Sequence, residues 1–511
     1  MLRHTPFRGR FALLAGTALF AGSFAAPGFA QQAFAPNTLV VSRVVYAGDT
    51  NPARAGESFP TIFNDPNVTG IQGSIFLDSY RPEPFSRPLA SLPLTATSGT
   101  GGGPIITTSF SSKSEGSLHL SADGRFLTYM GYVGPVGAEG VSNSETTNPA
   151  AQITGAAGPF FDRAVALVKY DGTFLVQPES NAFSGDNPRG AITVDGTQFY
   201  MAGNADSTEN KTPAGTGPGT TIGVRLGAPG STASTQLGTY LATDRPDEST
   251  KQHVKDNNWR GIGFFNGNLY VSKGSGGNGD DGVFQVENGT ANGIPTGGTN
   301  NTIVQLLGTQ ATNPVTGASS PLTPFGFFFA DANTLYVADE GNSTITTSVP
   351  GGTVVSTTTD GQGNTTYTDL VTDPLAGLQK WSLIGGVWQL DYVLQNGLQL
   401  NEPQQVQGYS VPTYTTGLRN LTGRVNDDGT VTIYAITAQT SAISGGEPDP
   451  TRLVAITDRL AATSLSVRHQ DGDAADRNRD RGDDGRLESF VTLQASRSGE
   501  VFRGVAFAPQ P

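Results

Sequence analysis

The feature that most constrains the fold of this 511-residue chain is a strand–turn–strand pattern that recurs along it. Its clearest copy spans residues 258–273, where an apolar run, the dipeptide Asn266-Gly267 and a run rich in Tyr, Val and Leu follow one another. Asn and Gly accept the backbone angles of tight hairpin turns, so the pattern predicts antiparallel hairpins. The copies span residues 115–129, 189–202, 260–273, 325–338, 419–436 and, in shortened form, 503–509.

Composition agrees with an all-β chain. There are 67 glycines and 32 prolines, and only 15% of residues are charged, a balance that favours short strands and many turns over long helices. Between successive copies lie one or two further apolar runs, which gives about four strands per copy, the content of one propeller blade. The chain has no cysteine, so no disulfide holds this fold.

The copies predict a six-bladed β-propeller, with seven blades as the alternative if one long spacing hides another blade. The last copy has a first strand but no partner strand after it. Residues 37–41, NTLVV, resemble the partner strand NTLYV at residues 333–337. We therefore expect the N-terminal strands to join the last blade, which would close the ring and leave no open sheet edge at the seam.

The N-terminus has the pattern of an export signal. Arg3, Arg8 and Arg10 precede an apolar run at residues 11–26, and Gly28 and Ala30 offer small residues for cleavage before residue 31. We expect a signal peptide at 1–30, a single propeller domain at 31–511, and a periplasmic or secreted protein. The alternative is a retained anchor, although the apolar run is short for a membrane span and contains glycines.

One segment resembles a known repeat. Residues 335–345, LYVADEGNSTI, resemble the NHL repeat, and Asp339, Gly341 and Asn342 carry the match. The wider pattern is similar to secreted six-bladed propellers of the NHL, lactonase and strictosidine-synthase-like type. That resemblance implies a binding scaffold, a lyase or a metal-dependent hydrolase, and no catalytic residue is carried over from it.

An acidic segment near the C-terminus is the candidate metal site. In residues 471–488 the oxygen-bearing side chains Asp476, Asn478 and Asp480 alternate and are followed by Glu488, a spacing that resembles a calcium-binding loop. Arg481 stands where such loops have glycine, and the interleaved arginines would partly neutralise the site. If calcium binds here, we expect a structural role rather than a catalytic one. The alternative is a solvated, charge-mixed surface loop.

The residues that open the copies form the candidate binding site. They are Glu115, Arg189, Arg260, Phe325, Arg419 and Arg503. In a propeller, equivalent positions surround the axis, so the arginines would form a ring at one end of the central channel. Such a ring could bind an anionic small molecule or an acidic glycan through paired N–H donors. In the alternative, each arginine braces the neighbouring blade.

Candidates for catalysis are few. His253, with Asp256 near it, could act as a general base, whereas His119 lies inside a predicted strand and is expected to be packed. Two functions stay open: a binding protein, or a hydrolase or lyase acting on an ester, lactone or carbohydrate. The net charge of −13 argues against nucleic acid as a partner. We expect a monomer with no stable membrane insertion after signal cleavage.

Overall fold

The computed structural model describes residues 34–46, 71–95, 104–109, 114–142, 144–152, 155–204, 223–239, 258–274, 281–289, 291–308, 310–341, 353–359, 365–370, 373–409, 412–441, 449–465 and 488–511. In these residues the regular secondary structure is almost entirely β-strand, with one short 3-10 helix at Pro149–Ala151. The all-β prediction is therefore confirmed. The expected signal peptide at 1–30 lies outside the described residues.

The strands, in chain order, are β1 Leu39–Val45, β2 Gln72–Tyr80, β3 Ala90–Pro93, β4 Ile106–Ser109, β5 Leu118–Leu120, β6 Phe126–Val133, β7 Arg163–Lys169, β8 Phe174–Glu179, β9 Pro188–Thr193, β10 Phe199–Gly203, β11 Val224–Gly227, β12 Thr235–Thr239, β13 Trp259–Phe265, β14 Asn268–Lys273, β15 Gly282–Val286, β16 Gly298–Gln305, β17 Gln310–Thr312, β18 Ser319–Pro321, β19 Pro324–Asp331, β20 Thr334–Asp339, β21 Thr353–Thr359, β22 Thr365–Leu370, β23 Gly377–Ile384, β24 Val387–Leu394, β25 Pro403–Gln404, β26 Thr413–Val425, β27 Thr430–Ser441, β28 Arg452–Arg459, β29 Val491–Ala495 and β30 Glu500–Phe507. Strand β4 lies in a segment, residues 95–114, that is rich in Gly, Ser and Thr, a composition typical of loops.

The sheets form a β-propeller. Counted by hydrogen bonding, four sheets contain four or more strands, which differs from the six blades expected. The difference arises because two of these sheets each contain two blade-like runs, joined by β4 in one and by the parallel pair β12–β16 in the other. Counted as antiparallel runs of four, the strands form six units: β30-β1-β2-β3, β5-β6-β7-β8, β9-β10-β11-β12, β13-β14-β15-β16, β19-β20-β23-β24 and β26-β27-β28-β29.

The first strands of these six units contact one another in a closed circle. Strand β30 contacts β5, and the circle continues through β9, β13, β19 and β26 back to β30. The long sequence interval between β20 and β23 holds β21 and β22, which form a two-stranded sheet of their own. Among the described residues, that interval contains no additional four-stranded unit.

The ring closes as predicted. Strand β1 pairs antiparallel with β30, with Leu39 opposite Phe507 and Val41 opposite Val505, and on its other side with β2. The C-terminal segment thus supplies the innermost strand of a unit whose three outer strands come from the N-terminal part of the chain. This pairing satisfies the main-chain groups of both edges at the seam.

The hydrophobic core lies between the units. Among the described residues, six clusters of buried side chains each fill the gap between two neighbouring units. Alternation along β1 illustrates the cause, since Val40 packs toward one neighbour whereas Leu39 and Val41 pack toward the other. Strands covered on both faces need apolar residues in succession, which explains the continuous apolar runs in the sequence.

A glycine follows most of the residues that open the copies because the innermost strands approach one another there. A Cβ added at Gly261 would overlap the Phe325 carbonyl oxygen, and one at Gly326 would lie 2.8 Å from the Arg419 carbonyl oxygen. In the fifth copy the position is Asn420, whose side-chain oxygen instead accepts a 2.6 Å hydrogen bond from the Val505 N–H.

Gly261→Ala is expected to lower the free energy of unfolding by about 1–3 kcal/mol, because the added methyl group meets main-chain atoms that cannot rotate away. Gly308→Ala is the matched control, since its new Cβ would meet only ordinary contact with the Gln310 carbonyl at 3.6 Å. Denaturant unfolding measures both. Equal effects of the two substitutions would contradict the proposed close approach at Gly261.

Candidate functional site

The residues that open the copies gather at one end of the innermost strands. Arg189, Arg260, Arg419 and Arg503 lie in β9, β13, β26 and β30, and Phe325 lies in β19. Glu115 occupies the corresponding place just before β5. We call these six residues the arginine ring. All are buried, and the four arginines are only 4% to 7% exposed.

Glu340 connects two arginines of the ring. Arg260 Nη1 donates to Oε1 of Glu340, and Arg419 Nε lies 3.2 Å from Oε2 of the same carboxylate. Glu340 directly follows β20, in the same unit as Phe325, which is the ring position without a charge. The guanidinium of Arg260 also lies 5.9 Å from the centre of the Phe325 ring. These contacts brace three neighbouring units.

Glu115 is held mainly by neutral donors. The Tyr132 hydroxyl donates to Oε1, the Asn187 amide donates to the same oxygen at 3.0 Å, and the Thr108 hydroxyl lies 3.3 Å from Oε2. Burial raises the pKa of the Glu115 carboxyl to about 7, although Arg189 and Arg503 oppose this shift. Glu115 can therefore carry or lose a proton near neutral pH.

The other two arginines of the ring contact neutral side chains. Arg189 donates to Oδ1 of Asn258 at 3.4 Å, and Arg503 donates to the Tyr46 hydroxyl at 3.3 Å. Burial, with the neighbouring positive charge of Arg260, lowers the pKa of Arg189 to about 10. The ring therefore brings four buried guanidinium groups close to the carboxylates of Glu115 and Glu340.

Asp339, which carries the resemblance to the NHL repeat, organises the turn beside Glu340. Its carboxylate accepts hydrogen bonds from the Thr323 main chain at 2.8 Å, the Gly341 main chain at 2.9 Å and the Gln379 side chain at 2.9 Å. Burial, together with the charge of Asp373, raises its pKa to about 7. Its contacts fix the end of β20 and hence the position of Glu340. Asn342 lies outside the described residues.

Several predicted site residues lie outside the described part of the chain. These are His253 and Asp256, and the first three candidate calcium ligands, Asp476, Asn478 and Asp480. Glu488 is described, at a turn where its φ angle is 62°. Among the residues that the structure describes, no group of three or more His, Cys, Asp or Glu side chains could hold a metal ion. The calcium and general-base hypotheses stay predictions.

His119 is packed, in agreement with expectation. Its Nδ1 lies 3.1 Å from the Ala191 carbonyl oxygen of the adjacent innermost strand. Burial lowers its pKa to about 4, so the imidazole is neutral near pH 7. It connects two units and does not contribute charge to the ring.

Comparisons with known proteins give only distant similarities. No protein-family profile matches the chain, so the NHL resemblance is not supported, and no curated protein matches it. Solved structures that resemble it include Kuenenia stuttgartiensis hydrazine synthase, with TM-score 0.29, 10% identity and coverage of 72% of this chain and 77% of that chain. An ulvan lyase of polysaccharide lyase family PL25 has TM-score 0.29, 10% identity and coverages of 78% and 89%. A chain from an S. cerevisiae complex of Dbp5, Nup159 and Gle1 has TM-score 0.23, 9% identity and coverages of 67% and 90%.

These similarities are too distant to argue for any activity. What the strands define is a β-propeller with a buried arginine ring at one end of its innermost strands. Within the described residues, no helix has the length and apolar character to cross a membrane.

Glu340→Gln is expected to destabilise the fold by about 3–5 kcal/mol, because it leaves the Arg260 and Arg419 guanidiniums buried without their shared counter-charge. Arg125→Gln is the control: it breaks the ion pair between Arg125 and Asp123, in which the arginine side chain is 51% exposed. An exposed pair contributes about 1 kcal/mol at most. Thermal and denaturant unfolding compare the two, and a Glu340 effect as small as the control would rule out the bracing contacts.

Proposed function

We propose that this protein is an exported β-propeller that binds a small anionic molecule, or the acidic group of a glycan, at the arginine ring. The observation that carries the proposal is that four buried arginines occupy equivalent positions in innermost strands that contact one another in a circle. Burying like charges near one another is costly, and a bound anion would offset part of that cost. The basic and apolar N-terminal segment supports export to the periplasm or cell exterior.

The charge of the ring favours binding over a purely mechanical role. The overall charge of the chain is −13, so a cluster of four buried arginines runs against the composition of the protein. The positive charge of Arg260 helps to lower the pKa of Arg189, so these two like charges repel each other. A carboxylate, sulfate or phosphate group placed at this pair would turn the repulsion into two attractive contacts.

Unused donor capacity supports the same conclusion. Arg260 carries five N–H donors, and among the described residues its Nε makes no hydrogen bond although the atom is buried. A planar or tetrahedral oxyanion accepts from two guanidinium nitrogens at once, a geometry that a single carboxylate such as Glu340 uses only in part. Bracing by Glu340 and binding of an external anion are therefore compatible roles for Arg260.

Binding of sulfate and glucuronate, measured by calorimetry on the full mature chain, tests the proposal. Arg260→Gln and Arg503→Gln are each expected to weaken binding about 10- to 100-fold, because each removes a charge-assisted hydrogen bond. Arg225→Gln is the matched control, since Arg225 is also a buried arginine but lies in β11 and bonds Ser234. It should lower stability and leave affinity unchanged.

The melting temperature of each variant separates the two roles. If Arg260→Gln and Arg503→Gln lower the melting temperature but keep the wild-type affinity, the arginines only brace the blades and the proposal is wrong. Absence of any binding by the wild-type protein would also contradict it.

A further inference from the structure

Lys380 and Asp458 form an ion pair that is closed off from solvent. Lys380 lies on β23 and Asp458 lies on β28, and both side chains are 0% exposed. The Nζ atom of Lys380 lies 3.1 Å from the Oδ2 atom of Asp458. The two strands belong to neighbouring four-stranded units, so the pair crosses from one blade to the next. Neither residue belongs to the arginine ring.

The lysine amine is held beside the carboxylate by three oxygen atoms. Nζ donates to the main-chain carbonyl oxygens of Arg459 at 2.6 Å and of Leu460 at 3.0 Å. It also donates to the Tyr392 hydroxyl at 3.1 Å. A lysine side chain is normally mobile because it has a flexible four-carbon stem. These contacts instead fix the amine at the end of β28, next to Asp458.

Two phenols contact the Asp458 carboxylate. The Tyr336 hydroxyl donates to Oδ2 at 2.6 Å, and the Tyr392 hydroxyl lies 2.9 Å from both Oδ1 and Oδ2. Burial raises the pKa of both phenols well above their usual range, so they stay protonated and remain donors. Their ring centres lie 5.6 Å and 5.3 Å from the Lys380 Nζ atom. Aromatic surface and acidic O–H groups therefore surround the pair.

An ion pair in this setting adds little net stability. The cost of removing both charges from water is largely offset, but not clearly exceeded, by their mutual attraction. An amide between the two side chains would be a neutral group, and it would still donate and accept hydrogen bonds. It would also join two blades of a chain that has no cysteine and hence no disulfide.

We propose that Lys380 and Asp458 condense to an intramolecular isopeptide bond between Nζ and Cγ, which joins the unit containing β23 covalently to the unit containing β28. The ammonium group first transfers a proton to Oδ2, which leaves a neutral amine and a carboxylic acid. The Nζ lone pair then attacks Cγ. A second proton moves from Nζ to the oxygen that bears the first, the Cγ–Oδ2 bond breaks, and water leaves.

The reaction needs no co-reactant. One ammonium group and one carboxylate become one secondary amide and one water molecule, so atoms balance and the net charge of the protein does not change. No group is oxidised or reduced. The main-chain carbonyls of Arg459 and Leu460 can accept hydrogen bonds from the released water, and Arg459 is exposed at the surface.

The two phenols are placed to assist the condensation. Tyr392 contacts Oδ1, where negative charge develops as the amine adds to Cγ. Tyr336 donates to Oδ2, the oxygen that leaves. The Tyr392 hydroxyl also accepts from Nζ and lies 2.9 Å from Oδ2, so it can relay the second proton between these atoms. The pair and its donors thus supply every proton transfer that the step requires.

Tryptic digestion of the denatured full chain, followed by mass spectrometry, tests the proposal. Without the bond, trypsin cuts after Arg452 and Arg459 and releases the peptide LVAITDR, residues 453–459, and it also cuts after Lys380. With the bond, we expect the free peptide to be lost. It should be found joined to residues 274–419, uncut at Lys380, with a mass one water molecule below the sum of the two peptides.

Two lysine variants locate the bond. Lys380→Met removes the amine and keeps a side chain of similar shape, so the free peptide 453–459 should be recovered in full. Lys273→Met is the matched control, because Lys273 is also 0% exposed but lies on β14, in another unit. The linked peptide should persist in this variant.

The wild-type digest decides the matter even if Lys380→Met fails to fold. Recovery of the free peptide 453–459 in full, with cleavage after Lys380, overturns the proposal and identifies an ordinary buried ion pair. A linked peptide that persists in Lys380→Met comes from another residue and also rejects it. Neither result affects the function proposed for the arginine ring.

Discussion

The pairing of β1 with β30 is the interaction on which the rest of the structure depends. Each unit is a four-stranded sheet that buries its faces only against two neighbours, so an open ring would expose two apolar faces at once. The pairing joins residues 39–45 to residues 500–507 and places Val40 and Val505 in the clusters on either side of the seam. Closure therefore completes two of the six interfaces and removes the last unpaired edges.

The same closed circle explains how so many charges can be buried together. The six innermost strands place equivalent residues at the same end of the propeller, so the residues at one position of the repeat together form a ring. Glu340 forms ion pairs with Arg260 and Arg419, and the charges of Arg189 and Arg503 act on Glu115. Because a buried charge is costly unless it is paired, removal of one charged member of the ring should have a large effect on stability.

The innermost hairpins could be predicted from the sequence because their signal is strong. At β13 and β14, Asn266 and Gly267 both have positive φ and connect two apolar runs, so pattern and turn chemistry agree. Outer strands such as β8 and β29 are short, carry mixed polarity and pair on one side only, and their sequences have no comparable pattern. Strand β4 was not predicted because its short sequence ITTS lies in a Gly- and Ser-rich stretch.

The candidate site, like the fold, could be predicted only in part from the sequence. The arginines could be predicted because each occupies the same place in a repeated unit. Glu340 could not be predicted, because it does not occupy the repeated position. It follows the adjacent strand β20 and pairs with an arginine of the ring near Phe325, the ring position that has no charge. The nearest sequence signal is the Val-Ala-Asp turn that precedes Glu340. The hydrogen bonds of Asp339 fix this turn and thereby the position of Glu340.

The seam also affects how this polypeptide reaches its native state. Arg43 and Glu500, which form an ion pair there, are 457 positions apart in the chain. Contacts between such distant segments form late and slowly, because the chain entropy lost on bringing them together is not offset by local structure. Until that moment β1 presents a bare edge to any other molecule, so crowded nascent chains are prone to exchange strands with one another at this blade.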